Sequence, residues 1–170
     1  MSSELENFVG LSSVLTGIST ERLAPAIDQV GLPPLFLEFI TPRITPDVLS
    51  TLLTQYANLA GDNQSPDQIA QAVLMDGALP ADTQTAKAAR SIMKLWLLGV
   101  WYQPYDAASF KKDEQTVVSD QAYINGWAWK AAQAHPMGYS EMFFGYWNTT
   151  PPSLEDYTGV VANAQQGASS

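Results

Sequence analysis

Apolar residues along most of this chain recur every three or four positions, the spacing that places them on one face of an α-helix. The first such stripe runs from Leu5 to Leu15 and stops at Thr16-Gly17, where glycine favours the end of a helix. Ser3 and Glu6 match a capping box at its start. The pattern therefore predicts an amphipathic helix at the beginning of the chain.

The next part of the chain is interrupted more often. A short helix is expected to start at Ser19 or Thr20 and to be limited by Pro25. The run Gly31 to Pro34 indicates a break, because it combines a glycine with two prolines. A brief apolar piece, Leu35 to Ile40, follows.

Two further stripes have clear start and stop signals. Thr45 followed by Pro46 predicts a helix start, because a proline in the first turn gives up no helical hydrogen bond, and Gly61 predicts its end. The run Ser65 to Gln68 is a second capping box, and its helix is expected to end at Asp76-Gly77. We expect these two helices to form an antiparallel pair.

A longer central helix is predicted next. Asp82 is its expected cap, and its stripe of alanines, Met93 and tryptophans runs to about Trp101. The segment from Tyr102 to Gln115 contains a proline and a cluster of charges, which is typical of a surface loop. The tryptophans at helical spacing favour core positions over a cofactor site.

The last predicted helix starts at Ser119 or Asp120 and passes through Trp127 and Trp129 to Ala132. No segment shows the sustained alternation of apolar and polar residues expected of a sheet. The sequence thus predicts a mainly α protein, a single-domain orthogonal helical bundle of about five to seven helices with an extended aromatic C-terminal segment. Residues 1–152 form the helical domain, and residues 153–170 form a loose C-terminal tail.

Composition and charge exclude several functions. Seventeen acidic against eight basic residues give a net charge of -9, which repels phosphate backbones, so nucleic acid is not an expected partner. The absence of cysteine excludes thiol chemistry, and a single histidine excludes a multi-histidine metal site within one chain. No glycine-rich dinucleotide fingerprint occurs, and no apolar run reaches the length of a membrane span. The chain is therefore expected to hold no cofactor or metal and not to cross a membrane.

One stretch combines the only histidine with five aromatic residues, AQAHPMGYSEMFFGYW at residues 132–147. His135 precedes Pro136, so the last helix should end there. Histidine is the side chain that most often acts as a general base, but no Asp or Ser stands at a spacing from His135 that would complete a catalytic triad. Glycines and prolines keep the rings outside regular structure, which favours a partner surface. The candidate interface residues are Trp127, Trp129, His135, Pro136, Tyr139, Phe143, Phe144, Tyr146 and Trp147.

Three blocks of the chain resemble a known family. They are FVGLSSVLTG (residues 8–17), AARSIMKLWLLGVWY (residues 88–102) and VVSDQAYINGWAWKAAQAHPMGYSEMFFGYW (residues 117–147), and they cover about a third of the chain. In this order they resemble the small subunit of bacterial FAD-dependent membrane-bound sugar dehydrogenases, the sorbitol dehydrogenase family. The C-terminal block is the most specific of the three.

The resemblance implies a non-catalytic accessory subunit. In such complexes a large flavoprotein of the glucose-methanol-choline type carries FAD and oxidises a sugar or alcohol, and a multihaem cytochrome c often accepts the electrons. The small subunit stabilises and escorts the flavoprotein. Many relatives carry a twin-arginine export signal, which the residues at Met1 to Glu4 lack. The expected location is the periplasmic face of the inner membrane if a signal was removed or the partner supplies it, and otherwise the cytoplasm.

Two other interpretations of the residues stay open. The chain could act alone as a small-ligand or carbohydrate-binding protein or enzyme, with the aromatic segment folded over a pocket and His135 as its polar group. A homo-oligomeric structural protein would instead bury the aromatic segment at a symmetric interface.

Overall fold

The computed structural model describes residues 3–132, 134–136, 138–139, 150 and 153–160. Within them the chain is mainly helical, which confirms the predicted class. The helices are α1 (Ser3–Thr16), α2 (Thr20–Leu23), α3 (Leu32–Ile40), α4 (Pro46–Gly61), α5 (Pro66–Leu74), α6 (Gln84–Leu98), α7 (Asp120–Ile124), α8 (Trp127–Ala131) and α9 (Leu154–Thr158). The strands are β1 (Met75–Asp76), β2 (Leu79–Pro80), β3 (Val100–Tyr102) and β4 (Gln115–Val117).

Helix α6 lies at the centre of the molecule and packs against α1, α4, α5 and α8. Trp96 of α6 is fully buried, and its ring meets the edge of Phe36 at a centroid distance of 4.8 Å. Phe8 of α1 lies 6.3 Å from the same ring. Ala86, Ala89 and Trp96 of the predicted stripe therefore lie in the core, whereas Met93 is half-buried.

The helix starts follow the signals in the sequence closely. Ser65 accepts a hydrogen bond from the backbone N–H of Gln68, whose side chain accepts one from the backbone N–H of Ser65, so the predicted capping box is present. Thr45 precedes Pro46 at the start of α4 as predicted, but its side chain forms no capping hydrogen bond. The apolar piece after Gly31 is longer than expected, because Pro33 and Pro34 lie in the first turn of α3 rather than before it.

The central helix is shorter at both ends than the sequence predicted. Its cap is Thr83, whose Oγ1 accepts a hydrogen bond from the N–H of Ala86. Asp82, the predicted cap, instead pairs with Lys87 at 2.7 Å, and this hydrogen bond lowers the pKa of the exposed Asp82 carboxyl. At the other end Gly99 adopts a left-handed conformation, so α6 stops before Trp101, which belongs to β3.

Two small antiparallel sheets accompany the helices, and the sequence analysis did not predict them. Strands β1 and β2 form a hairpin around Gly77, and β3 pairs with β4. The second sheet also corrects the predicted surface loop from Tyr102 to Gln115, since Tyr102 pairs with Gln115 across it. The loop between these strands is partly internal, with Gln103, Tyr105 and Ala107 buried.

The predicted last helix is two helices. The break lies between Ile124 and Trp127, at Asn125 and Gly126, and it matches a close approach to α6. A Cβ at Gly126 would lie 2.9 Å from the carbonyl oxygen of Leu97, so only glycine fits without displacement. The break therefore coincides with a local signal, Asn125-Gly126, and with a long-range contact that requires glycine at position 126.

Part of the segment predicted as a loose tail is ordered into α9. Ser153 and Asp156 form a capping box at its start. The carbonyl oxygen of Thr158 accepts a hydrogen bond from the N–H of Ser19, at 2.8 Å, and α9 also contacts α8. Residues 153–160 are thereby attached to the helical domain.

In the described part of the chain no helix combines the length and the apolar character that crossing a membrane would require.

Candidate docking surface

An apolar groove of about 380 Å³ lies where the end of α6 and β3 meet α7 and α8. Its walls are almost entirely aliphatic or aromatic. They consist of Leu97, Leu98, Val100, Tyr102, Tyr123, Ala128, Trp129, Ala132 and Ala134.

Aromatic rings in fixed positions form one side of this groove. Trp129 of α8 and Tyr123 of α7 meet edge to face with centroids 5.5 Å apart, and the indole N–H of Trp129 donates to the carbonyl oxygen of Tyr123 at 2.9 Å. Because its polar N–H is already bonded, the indole presents mainly apolar surface. Rings held in this way lose little conformational entropy when another molecule binds.

A cation lies next to Tyr102, another residue of the groove. The ammonium group of Lys94 lies 4.9 Å from the centroid of Tyr102, a distance typical of a cation–π contact. Lys94 is exposed, so it belongs to the rim of the surface while Tyr102 belongs to the groove.

Two glycines allow the helices around the groove to approach one another. At Gly99 an added Cβ would overlap the backbone of Ala122 and Tyr123, and Gly99 also has a φ of +67°. A Cβ at Gly126 would lie 2.9 Å from the carbonyl oxygen of Leu97, near the end of α6. The absence of side chains at Gly99 and Gly126 therefore allows the close packing of the helices that surround the groove.

The two candidate tryptophans occupy different positions in the structure. Trp127 is buried in the core with 8% of its surface exposed, and Lys130 lies 4.1 Å from its ring centroid. Trp129 is partly exposed and lines the groove. Of the two indoles predicted to meet a partner, Trp129 is the one on the surface.

The remaining candidates lie near the end of the described chain. Pro136 is buried, His135 is half-buried, and Tyr139 has 51% of its surface exposed. Ala134, which lines the groove, directly precedes His135. Four predicted interface residues, Phe143, Phe144, Tyr146 and Trp147, lie outside the described residues.

The surroundings of His135 show no catalytic arrangement among the described residues. Its Nδ1 lies 3.1 Å from the carbonyl oxygen of the adjacent Pro136, and no described side chain hydrogen-bonds to the imidazole. The described residues also contain no group of three or more His, Asp or Glu side chains placed to hold a metal ion.

Sequence reasoning missed several groove residues. The sequence predicts helices that contain Leu97, Leu98 and Tyr123. It also predicts a helix end near Val100 and a loop that starts at Tyr102, and none of these residues is a predicted site residue. Their exposure depends on how three helices and a strand meet, which periodicity along one helix does not reveal. The structure shows that Tyr123 and Leu98 each have more than a third of their surface exposed, and this exposure is what points to the groove.

Comparisons with family models, with curated proteins and with solved structures found no match to this chain. The likeness to the small subunit of sugar dehydrogenases therefore stays a prediction based on the three sequence blocks.

Proposed function

We propose that this chain is a non-catalytic small subunit that stabilises and escorts a FAD-dependent sugar or alcohol dehydrogenase of the glucose-methanol-choline type. FAD belongs to the large subunit, and a multihaem cytochrome c is a further member of the complex. In this proposal the helices form an orthogonal bundle that serves as a platform, and the aromatic segment around residues 135–147 extends its docking surface. A complex of this type works at the periplasmic face of the inner membrane when it is exported.

The observation that carries the proposal is the apolar groove beside Ala134. Its rings are fixed and its walls have few polar groups, which are the features of the energetic centre of a protein–protein interface. It also directly adjoins the segment in which the sequence places most of the candidate interface residues. Two separate observations, one on the fold and one on the sequence, thus favour a protein partner for this chain.

The proposal predicts that a flavoprotein of the glucose-methanol-choline type is encoded beside this chain, and co-expression of the two proteins tests it. We expect the large subunit to purify as a complex with this chain, to retain FAD and to reduce an artificial dye. The control is the large subunit expressed alone, which should lose flavin or aggregate. If the flavoprotein folds, keeps FAD and works equally well without this chain, the proposal fails.

A second candidate function is a small-ligand or carbohydrate-binding protein or enzyme that works alone. The volume of the groove, about 380 Å³, favours it, since it falls within the range of ligand pockets. This function predicts that the isolated chain binds a sugar measurably in calorimetry and that His135→Ala weakens binding or abolishes turnover. Absence of heat with a panel of sugars and polyols would leave the subunit proposal as the better account.

A further inference from the structure

A second feature, outside the groove, is the guanidinium group of Arg43. Its central carbon lies 3.5 Å from the ring centroid of Phe39 and 4.6 Å from that of Phe110. Phe39 belongs to the last turn of α3, whereas Phe110 lies in the loop between β3 and β4. Arg43 therefore joins two parts of the chain that are distant in sequence.

Both the backbone and the side chain of Arg43 are fixed. Its carbonyl oxygen accepts a hydrogen bond of 2.7 Å from the side chain of the buried Gln103. Its Nη1 donates to the carbonyl oxygen of Phe39 at 2.8 Å, where a positive charge also suits the C-terminal end of α3. This bond uses one of the five N–H groups of a guanidinium.

The charge of Arg43 has no carboxylate partner among the residues that the structure describes. The chain has 17 acidic residues, yet none of those that the structure describes forms an ion pair with Arg43, and Asp82 and Asp113 pair with lysines instead. Arg43 is partly exposed, and burial lowers its pKa without removing its charge. A partly desolvated cation without a counter-ion is electrostatically unfavourable, and a bound anion would relieve this.

We propose that Arg43 is a binding site for a carboxylate group, either of a free small acid or of an Asp or Glu side chain on a partner polypeptide. The hydrogen bond to Phe39 uses one of the five guanidinium N–H groups, so donors remain for a carboxylate. A guanidinium matches the two oxygens of a carboxylate in a bidentate pair. Because the side chain is already held, little entropy is lost on binding. None of these contacts involves a groove residue, so the site is independent of the proposed subunit function.

The site is tested by nuclear magnetic resonance of the arginine Nε–H groups at constant ionic strength. Two probes are titrated, sodium acetate and the capped peptide acetyl-Gly-Asp-Gly-amide, with sodium chloride and the Asn peptide as controls. We expect a saturable shift at Arg43 and only a small, linear one at Arg22, an exposed arginine of α2. Saturation with acetate as well as the Asp peptide would identify a site for free acids, and saturation with the Asp peptide alone would identify a polypeptide carboxylate. Equal responses at Arg43 and Arg22 with both probes would overturn the proposal.

Variants test whether binding requires the bidentate guanidinium–carboxylate pair or only a positive charge. Arg43→Lys keeps the positive charge but cannot form the bidentate pair. Binding to this variant is followed by the shifts of the Ile44 and Phe110 amides, and its dissociation constant should be at least about tenfold higher. Phe110→Leu keeps the guanidinium and removes one ring, and we expect an intermediate loss. Amide spectra of both variants check that the fold is intact. An undiminished response in Arg43→Lys would contradict the assignment.

Discussion

The buried side chain of Gln103 forms three hydrogen bonds through its amide, one with an indole and two with backbone carbonyl oxygens. Its Oε1 accepts a hydrogen bond from the indole N–H of Trp101 at 2.8 Å, and its Nε2 donates to the carbonyl oxygens of Arg43 and Tyr105. Only 2% of Gln103 is exposed, so water cannot replace these partners. One residue thus attaches the loop after β3 to the segment between α3 and α4.

Gln103→Leu should therefore destabilise the protein strongly. The substitution leaves one buried donor and two acceptors unpaired, and we expect a loss of about 3 kcal/mol in the free energy of unfolding. Urea denaturation measures it. Gln115→Leu, at an exposed position of β4, is the matched control and should change the free energy of unfolding by less than about 0.5 kcal/mol. Similar values for the two variants would contradict the role given to the Gln103 amide.

At the scale of elements, two helices end at glycines with nearly identical backbone conformations. Gly17 follows α1 with a φ of +69°, and Gly99 follows α6 with a φ of +67°. A Cβ at Gly17 would meet no atom within 4 Å, whereas one at Gly99 would overlap the backbone of Ala122 and Tyr123. The pair separates the cost of the left-handed conformation from the cost of lost helix packing.

Gly17→Ala should cost about 1 kcal/mol in the free energy of unfolding, because alanine is strained at positive φ. Gly99→Ala should cost at least about 2 kcal/mol more, since α7 must also move away from the end of α6. Thermal or urea unfolding of both variants checks the difference. If the two losses agree within error, the close approach at Gly99 does not limit packing.

The capping box at Ser65 gives a prediction for α5. Ser65→Ala removes the acceptor for the N–H of Gln68 and should cost about 1 kcal/mol in the free energy of unfolding. Ser65→Thr keeps the oxygen at the same position and should restore most of that stability. Chemical denaturation distinguishes the capping hydrogen bond from a general intolerance of substitution, which would affect both variants.

The elements that the sequence predicted well are those with local signals. The start of α4 at Thr45-Pro46 and the capping box of α5 follow from neighbouring residues, and both are present. Pairing of β3 with β4 has no such signal, because its strands are three residues long and their partners are distant in sequence. It depends on contacts such as those of Gln103, which only the folded chain brings together.

The candidate site shows the same division between local and long-range information. The sequence predicted Trp129 as a candidate interface residue, and in the structure Trp129 lines the groove. It also named Trp127, which is buried, because two indoles two positions apart on a short helix point in different directions and the pattern did not say which one faced the core. The exposure of Leu98 in the groove depends on how α6 meets α7 and α8, which periodicity along one helix does not reveal.

For the whole molecule, the net charge of -9 and the apolar groove have separate consequences for binding. Long-range charge affects how fast a partner approaches and is screened by salt. Burial of the groove determines how long the partner stays, and it depends little on salt. The proposed complex should therefore survive purification at high ionic strength.

The most direct test of the docking account compares two exposed leucines. Leu98 lines the groove and has 36% of its surface exposed, whereas Leu79 lies outside it in β2 and has 72% exposed. The dissociation constant for the co-expressed flavoprotein is measured for wild type, Leu98→Ser and Leu79→Ser, with thermal unfolding of each isolated chain as the check on folding. The account predicts binding at least about tenfold weaker for Leu98→Ser, or about 1.4 kcal/mol, and unchanged binding for Leu79→Ser. Unchanged binding for Leu98→Ser in a folded chain would contradict it.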